Sequence, residues 1–503
     1  MLAKIKSHGL LGLAGYPVTI ETDLGRGDFR FDIVGLPDTA VKESRERVLA
    51  ALKNSGFGLS LGRTVVNLAP ADMKKEGSLY DLPIAVSLLR AAGEIKNEIP
   101  HDMIFLGELS LDGQLRPING ALPMVIDAHK GGIRCFAVPD QNAAELSYIA
   151  EARVLPVSRL RQLVEHLNGV KLIEAQPTRR FSPENHSYAA DFCEIRGQQA
   201  AKRAAEVAAA GGHNILLVGT PGSGKTMIAR AMPSILPELS FEEALEITKI
   251  HSTVGGTRGL NGLITERPFR SPHHGASAPA LVGGGTRATP GEISLAHYGV
   301  LFLDELPEFQ RIVLEALRQP LEDGYITVSR ANATVTYPAR FTLVAAMNPC
   351  PCGNHGSRRN ACPCTEAQIV RYRGRVSGPL LDRIDIQIEM TEVEYDELSG
   401  AGLDGEKSAA IRKRVNAARQ LQRERLRDDG LLCNAQMKNA QIRKYCVLDS
   451  DGERLIRAAY EKLNLSARGY QRVLKVSRTI ADLDNSKNIC VRHIAEAAQY
   501  RTV

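Results

Sequence analysis

The run Gly219-Thr220-Pro221-Gly222-Ser223-Gly224-Lys225-Thr226 has the spacing G-x-x-x-x-G-K-[ST] of a phosphate-binding loop. Its glycines let backbone N–H groups turn inward and let a helix N-terminus face an anion. Lys225 is then placed for the β- and γ-phosphates of a nucleotide, and Thr226 for Mg²⁺. Downstream, Gly299-Val300-Leu301-Phe302-Leu303-Asp304-Glu305 ends an apolar run in two carboxylates. Asp304 suits a water-mediated hold on Mg²⁺, and Glu305 suits the general base that polarises an attacking water. Phe341-Thr342-Leu343-Val344-Ala345-Ala346-Met347-Asn348 ends a further apolar run in an amide. An amide carries both donor and acceptor, so Asn348 is a candidate for orienting that water. Arg383, in Gly378-Pro379-Leu380-Leu381-Asp382-Arg383, is a candidate finger toward a neighbouring subunit's γ-phosphate. Arg468, in Ser466-Ala467-Arg468-Gly469-Tyr470, is a candidate γ-phosphate contact from a C-terminal helix. Each arginine taken alone also reads as a surface charge.

Cys350-Pro351-Cys352 and Cys362-Pro363-Cys364 form a C-x-C-x9-C-x-C set. Four thiols satisfy tetrahedral Zn²⁺, and the loop follows Asn348 directly, so a metal there would brace the flank of the site. The C-x-C spacing is tighter than the usual C-x2-C, and free or redox thiols remain the other reading. Cys135, Cys193, Cys433, Cys446 and Cys490 are scattered and read as core filler or surface thiols. His273-His274 are adjacent, and side chains of neighbouring residues diverge, which argues against a metal-ligand pair.

The elements that must hold these groups are legible. Ile215–Val218 is a short apolar run, as expected of a buried parallel strand. Met227–Met232 reads as helix, with Pro233 at its end. Strand, helix and loop patterns alternate from 213 to about 390, the signature of a doubly wound parallel sheet. Phe192–Ala210 reads as strand, turn and helix entering this sheet; within it Ile195-Arg196-Gly197-Gln198 is either an adenine contact or ordinary helix surface. Tyr325–Arg330 and Ala333–Tyr337 alternate as a hairpin turning at Ala331-Asn332. The expected division is an α/β unit over 1–167, a linker over 168–190, an α/β nucleotide domain over 191–393 and a helical lid over 394–503. The first unit has strand patterns at Pro17–Glu21, Phe29–Val34, Thr64–Leu68 and Met103–Leu106, helices at Val41–Lys53 and Leu82–Ala92, and no phosphate loop. The helix Ser408–Arg427 carries seven basic residues, Arg412, Lys413, Arg414, Arg419, Arg423, Arg425 and Arg427, and reads either as a solvated face or as a DNA contact.

With 503 residues the chain has room for several domains. A net charge of +6 permits a nucleic-acid partner without demanding one, and with no tryptophan any base stacking falls to Tyr, Phe or Arg. No run approaches the roughly 18 apolar residues of a membrane span. The patch Leu10–Gly15 runs into the strand-like Tyr16–Asp23 without a small-residue cleavage site, so it does not read as a signal peptide. The expectation is a cytoplasmic protein.

Two resemblances sharpen these readings. Gly107-Glu108-Leu109-Ser110-Leu111-Asp112-Gly113-Gln114-Leu115-Arg116-Pro117-Ile118-Asn119-Gly120 resembles the proteolytic domain of Lon-type proteases, which has the ribosomal-protein S5 domain 2-like fold. The catalytic pair does not carry over. Ala121-Leu122-Pro123-Met124-Val125 stands where the family has its lysine, and Ser78 lies one place from the expected serine. The first unit is therefore expected to be a non-proteolytic scaffold or docking domain. The order of the later elements resembles AAA+ ATPases. Arg267-Pro268-Phe269-Arg270-Ser271-Pro272-His273-His274, Pro290–His297, Ser377–Arg383 and Phe31–Asp38 resemble the magnesium-chelatase-like YifB/ComM family across nearly the whole chain. That resemblance implies ATP and Mg²⁺ as cofactors and a hexameric ring. It implies the activity of characterised members, DNA branch-migration helicases that aid integration of DNA in natural transformation. It assigns Asn348 as sensor 1, Arg383 as trans finger and Arg468 as sensor 2. It makes residues about 255–290 an insertion in the second helix, and the hairpin a pore element with Arg330 and Arg287 as candidate contacts to phosphates of branched or single-stranded DNA, independent of sequence. Two other readings stay open: a metal-chelatase motor subunit, and an ATP-gated protein-interaction module.

Overall fold

The computed structural model describes residues 2–59, 62–182, 188–285, 288–330, 333–393, 405–463 and 465–501, without the side chains of Arg330 and Ala333. Arg287 and the hairpin tip Ala331-Asn332 lie outside the described residues. The chain forms two compact units, Met1–Ser182 with Phe241–Thr265, and Pro183–Ser240 with Glu266–Val503. The segment 241–265, read from the sequence as part of the nucleotide domain, therefore packs with the first unit. In the last turn of its helix Phe241–Thr253, the Ser252 carbonyl accepts from Gly120 N–H at 2.8 Å.

In the first unit, strands β1 (Leu2–Leu11), β2 (Ala14–Leu24), β3 (Arg30–Val34) and β4 (Arg63–Ala69) form a sheet of order β1-β2-β4-β3. The patch Leu10–Gly15 is the turn of the β1–β2 hairpin, with Leu11 opposite Ala14. A second sheet, β5 (Met103–Phe105), β8 (Cys135–Pro139) and β9 (Arg153–Val157), is parallel, and β6 (Glu108–Leu109) pairs with β7 (Leu115–Arg116) as a ribbon between them. The helix Thr39–Asn54 is capped by Asp38 and buries Val41, Val48, Ala51 and Leu52, the face its spacing predicts. The hydroxyl of Ser78 donates to the Glu108 carboxylate, and Lys75 is buried with its ammonium on the Met73 carbonyl at 2.8 Å. The structure thus gives Ser78 a carboxylate partner rather than a lysine.

The second unit is built on five parallel strands, β10 (Ile215–Gly219), β11 (Phe269–Arg270), β14 (Val300–Leu303), β17 (Thr342–Met347) and β18 (Ile386–Met390), in the order β11-β14-β17-β10-β18. Every residue of β10, β14 and β17 is buried. That is why these strands read as unbroken apolar runs: helices cover both faces of a parallel sheet. Small two-stranded ribbons, β12 (Gly283–Gly284) with β13 (Thr289–Pro290) and β15 (Tyr325–Arg330) with β16 (Ala333–Pro338), stand apart from it. After 405 the described residues are helical, with Ser408–Leu426, Ser450–Lys462, Ala467–Leu483 and Val491–Gln499 the longer helices.

Two local expectations are corrected. Pro233 does not end its helix; it lies inside Lys225–Ile235, two residues before its end, where the missing N–H leaves the Ala229 carbonyl without its usual intrahelical donor. Phe192–Glu194 is a single 3₁₀ turn rather than a strand, capped by the Asp191 side chain, and Phe192 is buried as a plug rather than in a ladder. The basic helix is largely committed to intramolecular contacts. Arg414 binds Glu206 and Glu406, Arg425 binds Asp482, Arg419 donates to the Ala209 carbonyl and Arg412 to the Tyr188 hydroxyl. Lys413, Arg423 and Arg427 are exposed.

Candidate nucleotide-binding site

The phosphate loop leaves the carboxyl end of β10, and Gly224 caps the following helix with φ 92°, a backbone value that suits glycine. Lys225 Nζ donates to the carbonyls of Gly219 and Thr220 at 2.6 and 2.9 Å and to Asn348 Oδ1 at 3.2 Å. Burial pulls its ammonium pKa down, while the Asp304 and Glu305 carboxylates push it up. Thr226 Oγ1 donates to Asp304 Oδ2 at 3.0 Å. Lys225, Thr226, Asp304 and Asn348 therefore meet at the carboxyl ends of three adjacent strands, β14, β17 and β10. Thr220 Oγ1 and Ser223 Oγ are buried without a protein partner. Such orphaned groups, with backbone N–H groups at a helix start, fit the oxygens of a polyphosphate, and Thr226 with Asp304 fits Mg²⁺. Gln198 Nε2 donates to the Ser223 carbonyl at 3.1 Å, tying the entry turn to the loop.

Glu305 follows Asp304 at φ 52°, a left-handed conformation that costs a non-glycine residue about 1 kcal/mol or more. Its amide binds the Asp304 Oδ1 at 2.9 Å. His274 Nδ1 lies 3.1 Å from Glu305 Oε2, and the His274 ring packs edge-on against Phe309. Sequence reasoning weighed this histidine only as a metal ligand. Its contact with Glu305 depends on β11 lying beside β14, which no local pattern announces.

Arg383 and Arg468 come together elsewhere. The Arg383 carbonyl accepts from Asn214 Nδ2 at 3.0 Å, and Asn214 immediately precedes β10. Arg383 thus sits at the opposite end of β10 from the phosphate loop, separated by a five-residue strand, roughly 16 Å at the usual rise. Its guanidinium contacts the Glu322 carboxylate, and Arg468 Nη2 lies 4.0 Å from the other oxygen of Glu322. The helix that bears Arg468 docks at this same sheet end. Thr479 Oγ1 is 2.8 Å from His213 Nε2, and Arg472 Nε is 3.4 Å from Asp385 Oδ1. Burial raises the Asp385 pKa, but His213 and Arg472 outweigh it and hold the carboxyl well below the usual range.

The four sulfurs of Cys350, Cys352, Cys362 and Cys364 lie within 4.8 Å of one another. Separations of 3.3 to 3.6 Å among Cys350, Cys352 and Cys362 approach the edge of a zinc–thiolate tetrahedron, about 3.8 Å for 2.3 Å Zn–S bonds. Backbone N–H groups of Asn354 and His355 point at Cys352 and Cys350 sulfurs, at 3.4 and 3.3 Å, as donors to thiolates do. A β-carbon on Gly353 would stand 2.8 Å from two ring atoms of Pro221, so this loop touches the phosphate loop directly.

Fold and site define the class: an α/β motor domain of the AAA+ type with a helical C-terminal part. The family described as magnesium chelatase, subunit ChlI, matches residues 191–398, its C-terminal family matches 405–501, and subunit ChlI of Mg-chelatase matches 20–142. Competence protein ComM of Haemophilus influenzae is 45% identical over 505 residues, covering 100% of this chain and 98% of the relative. A protein YifB of Salmonella typhimurium is 43% identical over 502 residues, covering 100% and 97%. The magnesium-chelatase subunit ChlI of Nephroselmis olivacea is 25% identical over 156 residues, 27% of this chain and 44% of the relative. This chain belongs to the YifB/ComM family of magnesium-chelatase-like proteins.

Proposed function

We propose that the protein is an ATP-hydrolysing ring motor that acts on DNA, a branch-migration helicase of the ComM type. The observation that carries the motor is the meeting of Lys225, Thr226, Asp304 and Asn348 around one phosphate loop. Bound ATP and Mg²⁺ supply the phosphoryl group and the cation that neutralises its charge. Lys225 holds the terminal phosphates, Thr226 and Asp304 hold the metal side, and Asn348 keeps Lys225 oriented while leaving its amide for a water. Glu305 takes the water's proton. Arg383 and Arg468, at the far end of β10, serve the phosphate loop of the next subunit, which requires self-association and fits a hexamer. Cys350, Cys352, Cys362 and Cys364 would hold a structural zinc that stiffens the loop between Asn348 and its contact with Pro221. The first unit is read as a Lon-like domain without proteolytic activity.

DNA is favoured as substrate by the β15–β16 hairpin and by the full-length similarity to a competence protein. The hairpin has no acidic residue between Val328 and Arg340, so its tip suits phosphates. The ChlI family match favours a second reading, a chelatase-type motor subunit. Against it, the ChlI relatives are only 23–25% identical over 27–56% of the chain, whereas ComM is 45% identical over all of it. ATPase rates with and without forked, four-way and single-stranded DNA separate the two. Stimulation by branched DNA, with binding that weakens steeply as salt rises, is the expected result. A rate indifferent to every DNA would remove the helicase reading.

A further inference from the structure

We propose that Glu322 is a positioning residue that couples the arginine pair, Arg383 and Arg468, to the β15–β16 hairpin of the same subunit; this rests on the reading that both arginines act on the neighbour's nucleotide. Glu322 offers one oxygen to each guanidinium. Arg383 is 10% exposed at its side chain, and its Nε is buried without a partner. Two clustered guanidinium groups repel one another unless an anion lies between them, and Glu322 is that anion within the single chain. The charge of Arg383 holds the Glu322 carboxyl below its usual range, with further help from Arg468 and Arg318. A terminal phosphate carries more charge and more acceptor oxygens than a carboxylate, and it binds the arginine fork bidentately. It therefore competes with Glu322 for both arginines.

The competition reaches the hairpin through a short, ordered connection. Glu322 is in the helix Arg318–Asp323, which ends at Gly324 with φ 73°. Gly324 N–H donates to the Pro320 carbonyl at 3.0 Å, and its own carbonyl accepts from Ala339 N–H at 2.8 Å. Tyr325, the next residue, opens β15 opposite Pro338. Release of Glu322 frees the end of this helix, and with it both strands at the base of the hairpin. The hairpin then reports whether the neighbouring site holds ATP.

The chain has no tryptophan, so Tyr325→Trp gives a single fluorescent reporter at the hairpin base, where Tyr325 is 43% exposed. Its emission is compared in assembled full-length protein with Mg²⁺ and a non-hydrolysable ATP analogue, or with Mg²⁺ and ADP. A shift between the two states is expected, reduced about fivefold or more by Glu322→Gln. Glu322→Asp keeps the charge and retains part of the shift. Glu322 is 55% exposed, and an unchanged melting temperature confirms that the variants fold. The same shift in Glu322→Gln as in its parent, or none in the parent, overturns the coupling. Arg383→Ala tests the underlying reading by itself. Full turnover in that variant sinks the finger role, whereas lost turnover beside an intact Glu322→Gln shift sinks only the coupling.

Discussion

At the scale of residues, the roles of Lys225 and Glu305 separate cleanly. Lys225 donates to two loop carbonyls and Asn348, which supports its proposed place in a phosphate cradle. Glu305 is half exposed, follows a buried strand, donates its backbone N–H to Asp304 Oδ1 and sets its carboxylate beside His274. Glu305→Gln is expected to bind ATP with near wild-type affinity while turnover falls about 10²- to 10⁴-fold, the usual contribution of a general base. Lys225→Ala is expected to weaken binding itself. Equilibrium nucleotide binding and steady-state turnover, measured on both variants, check the assignment; undiminished turnover in Glu305→Gln removes it. The sequence singles out both positions, Lys225 by the G-x-x-x-x-G-K-[ST] spacing and Glu305 by the apolar run that ends in Asp304-Glu305. His274 and Glu322 were not legible in this way. Their partners are distant in the chain, and neither residue type at those positions carries a spacing signal.

At the scale of elements, the strands that bear the site were read almost to the residue, because burial on both faces writes itself as a continuous apolar run. Caps and turns were harder. Phe192 looks like a strand start, yet Asp191 captures the Cys193 amide and closes a 3₁₀ turn instead. Pro233 looks like a stop, yet the helix runs on to Ile235. The docking of the Ala467–Leu483 helix was also hidden, since it depends on a buried polar set, His213, Asp385 and Arg472, scattered along the chain. Asp385→Asn leaves Arg472 buried without its charge partner and should destabilise the second unit by about 3 kcal/mol. The folded Asp385 pKa is depressed, so its contribution is complete above the unfolded carboxyl range and is lost as pH falls through the lower folded value. Wild type should therefore lose stability on acidification over a range where the variant does not; parallel melting curves down to low pH would refute this. The cysteine loop makes a second element-scale prediction. Protein purified under reducing, chelator-free conditions should carry about one zinc per chain. Its removal should raise the KM for ATP, because Gly353 rests on Pro221 of the phosphate loop. Elemental analysis without zinc ends the metal reading.

At the scale of the whole molecule, the proposed site divides into two halves at opposite ends of one strand. The phosphate loop leaves the carboxyl end of β10, and Arg383 is hydrogen-bonded at its start. Arg468 shares Glu322 with Arg383, so both arginines belong to the second half. No side-chain rotation spans that separation. In the proposed head-to-tail ring, each interface would set one subunit's loop against the next subunit's arginines. Two inactive variants should then rescue each other. Arg383→Ala keeps an intact loop but lacks the finger; Lys225→Ala keeps the finger but lacks the loop. Random mixing in equal amounts makes about one interface in four fully competent in a heterologous ring. ATPase activity in the mixture should rise well above the mean of the two separate variants, toward that fraction of wild type. Rings shown by differential tagging to contain both variants, and still without activity, would count against a trans role. Activity that follows the simple mean at every mixing ratio would do the same, because a finger acting within its own subunit gains nothing from a neighbour.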